Sequence, residues 1–163
     1  MNRPPHVVHQ DRVETKQQGH GETFQFLRRQ LGAASGARKI GCSLIDLPPG
    51  KRSWPFHFHR ANEEAIYVLE GEGFLRLPAG EVPVRAGHYI AFPAGEEHPH
   101  QMINRSVAPL RYLVLSTMIA PEITQYPDTG KVGLLAGAAP GVQSGMRRFG
   151  YLDEVDYWDG EEK

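Results

Sequence analysis

From Ile40 onward the chain is cut into short β-forming runs by turn signals every eight to twelve residues, a cadence that limits the fold to a sandwich or barrel. Ile40–Leu47 is apolar without a helical stripe and stops at Pro48-Pro49-Gly50. Glu64–Glu70 is rich in β-formers and ends at Gly71-Glu72-Gly73, a hairpin signal. Phe74–Leu77 and Glu81–Val84 flank a turn at Pro78-Ala79-Gly80. Tyr89–Phe92 ends at Pro93-Ala94-Gly95, His98–Asn104 follows, and Leu110–Thr117 is the most strongly apolar run. Helical periodicity is poor throughout. Phe24, Leu27 and Leu31 fit a helix, but Phe24 and Phe26 also fit a strand's period of two, and the segment leans to strand.

The ends read differently. Residues 1–20 are polar, carry Pro4 and Pro5, and are expected to be a loose N-terminal arm. Residues 21–117 form the barrel unit, and 118–163 form a C-terminal extension packed on the barrel or on a dimer partner. Leu134–Gly150 has no sustained periodicity. Tyr151–Lys163 is acidic and aromatic, and Tyr151, Tyr157 and Trp158 are expected to dock on the barrel or a second subunit. Residues 1–60 hold ten Lys/Arg against four Asp/Glu (+6), and 61–163 hold eight against fifteen (−7). Such ends complement one another within one fold or across two subunits. The overall charge of −1 argues against a strongly cationic nucleic-acid or membrane-surface protein. No apolar run approaches the length of a membrane span and no secretory leader is visible, so a cytoplasmic location is expected.

Eight His stand against one Cys, so any metal chemistry rests on imidazole and carboxylate. In a strand, His57 and His59 share a face with Cα atoms ~6.6 Å apart, and their nitrogens can converge on one ion at ~2.1 Å. Glu64 opens the next strand on the face of Ile66 and Val68, and Glu63 is the competing carboxylate. The turn at Pro93 and Gly95 brings in a third imidazole, His98. Three histidines and one glutamate leave open positions on a five- or six-coordinate metal, as a catalytic or ligand-binding ion needs.

His57-x-His59-x4-Glu64-x6-Gly71 and Gly87-x5-Pro93-x-Gly95-x2-His98 resemble the two motifs of the cupin superfamily. The resemblance covers roughly Ile40–Thr117. It implies an all-β fold with a single small β-barrel of jelly-roll type, metal ligands at His57, His59, Glu64 and His98, and a homodimer. Two departures stand out. Six residues rather than five separate Gly50 from His57, and the Asn expected four residues after the second-motif His is Met102, with Asn104 two further on. Leu47-Pro-Pro-Gly-Lys51, Tyr126-Pro-Asp-Thr-Gly-Lys131 and Val155-Asp-Tyr-Trp-Asp-Gly160 resemble a group of small bacterial single-domain cupins.

The remaining residues are read beside their plainer roles. His100 shares a strand face with His98 and is a candidate pocket base or proton carrier, against a rim position in water. Trp54 and Phe56 are candidates to fence the pocket mouth, against simple packing. Arg76 is a candidate for holding an anionic substrate, against a solvated or interface role. Cys42 reads as a small buried hydrophobe. The expected cofactor is one divalent metal, Fe, Mn, Ni or Zn. The expected function is a metal-dependent enzyme on a small molecule, through enediol isomerisation or Fe(II) dioxygenation. The alternative is a non-catalytic small-molecule binding module.

Overall fold

The computed structural model describes residues 6–136 and 145–162. The strands run as β1 (Lys16–His20), β2 (Phe24–Arg29), β3 (Ile40–Leu47), β4 (Phe58–His59) and β5 (Glu64–Glu70). They continue as β6 (Glu72–Leu77), β7 (Gly80–Arg85), β8 (Tyr89–Phe92), β9 (Gln101–Ile103) and β10 (Leu110–Thr117). The extension adds β11 (Glu122–Tyr126), β12 (Lys131–Ala136) and β13 (Met146–Gly150). A short α-helix, α1 (Leu31–Ala34), leads from β2 towards β3.

Six strands form one sheet in the order β1-β2-β3-β10-β5-β8, with β7-β6-β9 and β13-β12-β11-β4 as smaller sheets. The pairings are antiparallel. This is the jelly-roll barrel that the turn cadence and the motif resemblance imply. Alternation along β5 sets its faces: Ile66 and Val68 are buried, whereas Tyr67 and Leu69 face solvent. The buried side packs with Ile45, Phe92, Leu110 and Tyr112 into one core. Gly71 ends β5 with φ +82 at a point where a Cβ would strike the Pro109 carbonyl, so the tight turn into β6 requires glycine.

The ends differ from expectation. Lys16–His20, expected within a loose arm, pairs along its whole length with β2. Its side chains are polar and give no apolar alternation, but edge pairing is a main-chain matter. Beyond Thr117, β11 pairs with β4 in the barrel and carries β12 and β13 beside it. Part of the Leu134–Gly150 stretch, residues 137–144, lies outside the described residues. Tyr151, Tyr157 and Trp158 are exposed on the single chain and do not dock on its own barrel. No helix among the described residues is long and apolar enough to cross a membrane.

Candidate metal centre

Three elements meet at one point inside the barrel. His57 bridges to His100 by a reciprocal main-chain pair, N–H to carbonyl at 3.3 and 2.9 Å. His59 lies in β4 opposite Thr124 of β11, and Glu64 opens β5 opposite Phe92 and Ser116. Ligand atoms of His57, His59 and Glu64 lie within 4.8 Å of one another. His100 joins them, with Nε2 3.2 Å from Glu64 Oε2 and its ring stacked on Phe92 at 3.7 Å.

The hydrogen bonds fix which nitrogen each ring presents. His57 Nδ1 lies 2.7 Å from the Pro55 carbonyl and His100 Nδ1 lies 3.1 Å from the His98 carbonyl. A carbonyl oxygen only accepts, so both Nδ1 atoms donate and each ring turns its Nε2 inward. His59 faces Thr124 Oγ1 and Glu122 through Nδ1, at 3.5 and 3.6 Å. Its Nε2 is buried 3.5 Å from Glu64 Oε2 and makes no hydrogen bond, the distance and alignment being too poor for one. Nitrogen lone pairs gathered around a carboxylate repel unless a cation or a proton sits among them. The donor set therefore fits a divalent ion, with imidazole and carboxylate ligands of the kind transition metals accept.

Titration follows the same geometry. Burial, aided by repulsion from His100 and His59, lowers the His57 pKa to about 3. Burial also disfavours a charged His59, but Glu122 and Glu64 on either side outweigh it and raise its pKa to about 9. Burial pushes the Glu64 pKa up, yet the His100 and His59 imidazoles beside it hold the carboxyl well below its usual range.

Behind His59 stands Glu122, fully enclosed. One carboxylate oxygen accepts the main-chain N–H groups of Arg60 at 3.0 Å and Ala61 at 3.3 Å. The other accepts the N–H of Asn62 at 3.0 Å and the Asn62 side-chain amide. This network pins the turn between β4 and β5, and so the spacing between His59 and Glu64. Burial raises the Glu122 pKa, but His59, Asn62 and the main-chain donors outweigh it and keep the carboxyl ionised.

The cluster lies in the wall of a cavity of about 610 Å³. Trp54 lines it, as do Tyr126, Leu135 and Phe149 from the extension. Phe56 is buried beneath the Arg76 guanidinium at 4.0 Å and is not part of the lining. Arg76, considered for substrate, is instead held by Asp128 through two bonds of 2.7 Å. Its role is to tie β6 to the β11–β12 turn. Cys42 is half-buried in the cavity wall.

His98, expected as the third imidazole, lies outside the cluster and outside the cavity lining. Its N–H closes a turn back to the Gly95 carbonyl, Pro99 follows, and pairing with the His57 strand begins only at His100. The interval His100-x3-Asn104 keeps the His-to-Asn spacing that is broken at His98, and it is the sequence signal that identifies the residue facing inward. Asn104 is fully buried, its side-chain amide donating to the Leu47 and Ala108 carbonyls at 2.8 and 2.9 Å.

Residues 43–116 match the cupin domain family, and the chain contains a small cupin domain. A structure from Silicibacter pomeroyi described as a sugar phosphate isomerase from a cupin superfamily is 27% identical, with a TM-score of 0.78 over 89% of this chain and 92% of that one. A putative sugar phosphate isomerase from Acidithiobacillus ferrooxidans is 25% identical, with a TM-score of 0.78 over 90% and 92%. Quercetin 2,3-dioxygenase of Bacillus subtilis is 31% identical over 87 residues, 52% of this chain. The chain spans about a quarter of that relative's length, the match covering 26% of it.

Proposed function

We propose that His57, His59, Glu64 and His100 hold one divalent metal ion, and that the protein is an enzyme isomerising a small polyhydroxylated carbonyl compound. The observation that carries this reading is the gathering of the His57, His59 and His100 rings about the Glu64 carboxylate, at the wall of a cavity of about 610 Å³. A bound ion would supply Lewis-acid polarisation of a substrate oxygen. The chain's own contribution is orientation: Pro55 and His98 carbonyls fix two rings, and the Glu122 network fixes the third.

Isomerisation is favoured over dioxygenation by the extent of similarity. Both structures named as sugar phosphate isomerases are matched along about nine-tenths of each chain. The dioxygenase likeness spans a minor part of that protein. The test is anaerobic loading with Fe(II), Mn, Ni or Zn, followed by proton exchange of aldoses and ketoses in deuterated water. Exchange at the carbon beside the carbonyl, without oxygen uptake, is expected. Oxygen consumption with diols or catechols, or saturable binding without turnover, would overturn the isomerase reading.

The reading includes a homodimer. Tyr151, Tyr157 and Trp158 stand exposed beyond β13, as surface for a second copy. Sedimentation at micromolar concentration should give twice the chain mass of 18.2 kDa, and a monomer would remove the dimer from the account.

A further inference from the structure

The cavity carries more positive charge than the metal centre explains. Arg28 of β2 and Arg38 line it, whereas among the described residues Glu64 is the one carboxylate of the lining and is already engaged by imidazoles. Arg28 and Arg29 are neighbours on opposite faces of β2 and meet different fates. Arg29 pairs with Asp46 at 2.8 Å. Arg28 has no carboxylate within 4 Å among the described residues. Its Nε donates to Ser43 Oγ at 3.0 Å, and its guanidinium lies 5.7 Å from the Trp54 ring. Neither terminal amino group has a hydrogen-bond partner among the described residues. Arg60, Arg76, Arg105 and Arg111 also pair with carboxylates, whereas Arg28, like Arg38 in the same lining, has no such partner among the described residues.

A half-buried guanidinium without a counter-ion is costly, and two free N–H groups in a fork match the paired oxygens of an oxyanion. Burial lowers the Arg28 pKa, and the more distant Glu64 carboxylate only partly offsets it. The spacing to the metal centre is that of a small molecule. Ser43 sits two residues along β3 from Gly41, which lies in register with Ser116 and Glu64. The offset is about 7 Å along the strands and about 10 Å across two of them, shortened as the side chains reach inward.

We propose that Arg28 is the anion-binding residue of this cavity and that the ligand is a small oxygen-rich molecule bearing a phosphate or carboxylate group. The oxyanion sits on the Arg28 fork beside Trp54, and hydroxyl or carbonyl oxygens reach the histidine cluster. The inference rests on the isomerase reading only for what happens at that second end.

Trp54 gives a direct readout. The chain has two tryptophans, so W158F leaves Trp54 as the reporter next to Arg28. In that background, Trp54 emission is titrated with a hexose phosphate, a hexuronate and the parent neutral hexose. Saturable change with the phosphate, the hexuronate or both is expected at tenfold or more lower concentration than with the hexose, and which one acts identifies the oxyanion. R28Q should weaken that binding about tenfold or more, the scale of a charge-assisted hydrogen bond. R28K should recover part of it, because it keeps the charge and loses the fork. R148Q, on the exposed face of β13 and outside the cavity lining, should bind as the parent does. Equal binding of neutral hexose, or R28Q affinity within twofold of the parent, would overturn the proposal. Should R28Q fail to fold, R28K affinity equal to the parent's would overturn it. Elemental analysis of the same samples separates the two readings: metal without anion preference removes this inference alone, and anion binding without metal leaves it standing.

Discussion

Removing the Glu122 carboxylate tests whether the extension after the barrel builds the site. The side chain has no solvent exposure and accepts from three main-chain N–H groups in the turn that joins His59 to Glu64. Glu122→Ala leaves those three donors enclosed without an acceptor. Each bond to a charged acceptor is worth about 1.5–3 kcal/mol, so the lower end for three is about 4–5 kcal/mol. At about 2–4 °C per kcal/mol for a chain of this size, Tm should fall by about 10–15 °C. Glu122→Gln keeps the shape and one acceptor oxygen, but turns an amide N–H₂ towards either the Asn62 or the Arg60 and Ala61 donors. It should unfold less readily than Glu122→Ala and still loosen the orientation of His59. Loss of such a positioning partner lowers metal affinity about 10- to 100-fold. Thermal unfolding followed by circular dichroism, with metal titration of the Gln variant, measures both. A Tm drop under about 3 °C for Glu122→Ala, or unchanged metal affinity for Glu122→Gln, would refute the reasoning.

Further outcomes follow from individual contacts. The metal-free protein holds a proton on His59 up to about pH 9, above the ordinary histidine value. That proton's contribution to stability is fully present below about pH 6.5 and is lost as pH rises through about 9. A metal must displace the same proton, so apparent metal affinity should rise with pH to about 9, by at most about tenfold per unit, in calorimetric titrations. Arg76→Gln breaks a partly exposed pair with Asp128 and should cost about 1 kcal/mol or less in urea unfolding, with metal binding unchanged. Gly73→Ala places a Cβ 2.7 Å from the Ile103 carbonyl and from Leu110, so it should destabilise by about 1–3 kcal/mol in the same assay.

Most of the barrel is legible locally. β3, β5, β8 and β10 carry their own apolar or alternating pattern and end at Pro- or Gly-bearing turns, and they occupy the spans those signals mark. His57, His59 and Glu64 are legible for the same reason, because their convergence needs only strand parity and one turn. The third imidazole is harder. Counting residues from Gly87 selects His98, but which histidine faces inward depends on where the chain re-enters pairing with His57, and that is a long-range event. Glu122 and Tyr126 face inward from a strand whose inner positions are mostly polar, so no hydrophobic alternation marks them. The pairing of Arg76 with Asp128 spans 52 positions and leaves no local trace.

The central claim is that His100, and not His98, completes the metal set with His57, His59 and Glu64. Its most direct test is metal stoichiometry, by elemental analysis after loading and desalting, of the parent chain beside H100A and H98A. The account predicts one divalent ion per chain in the parent and in H98A, and loss or sharply weakened retention in H100A. Retention by H100A with loss from H98A, or no ion in the parent with Fe, Mn, Ni or Zn supplied, would contradict it.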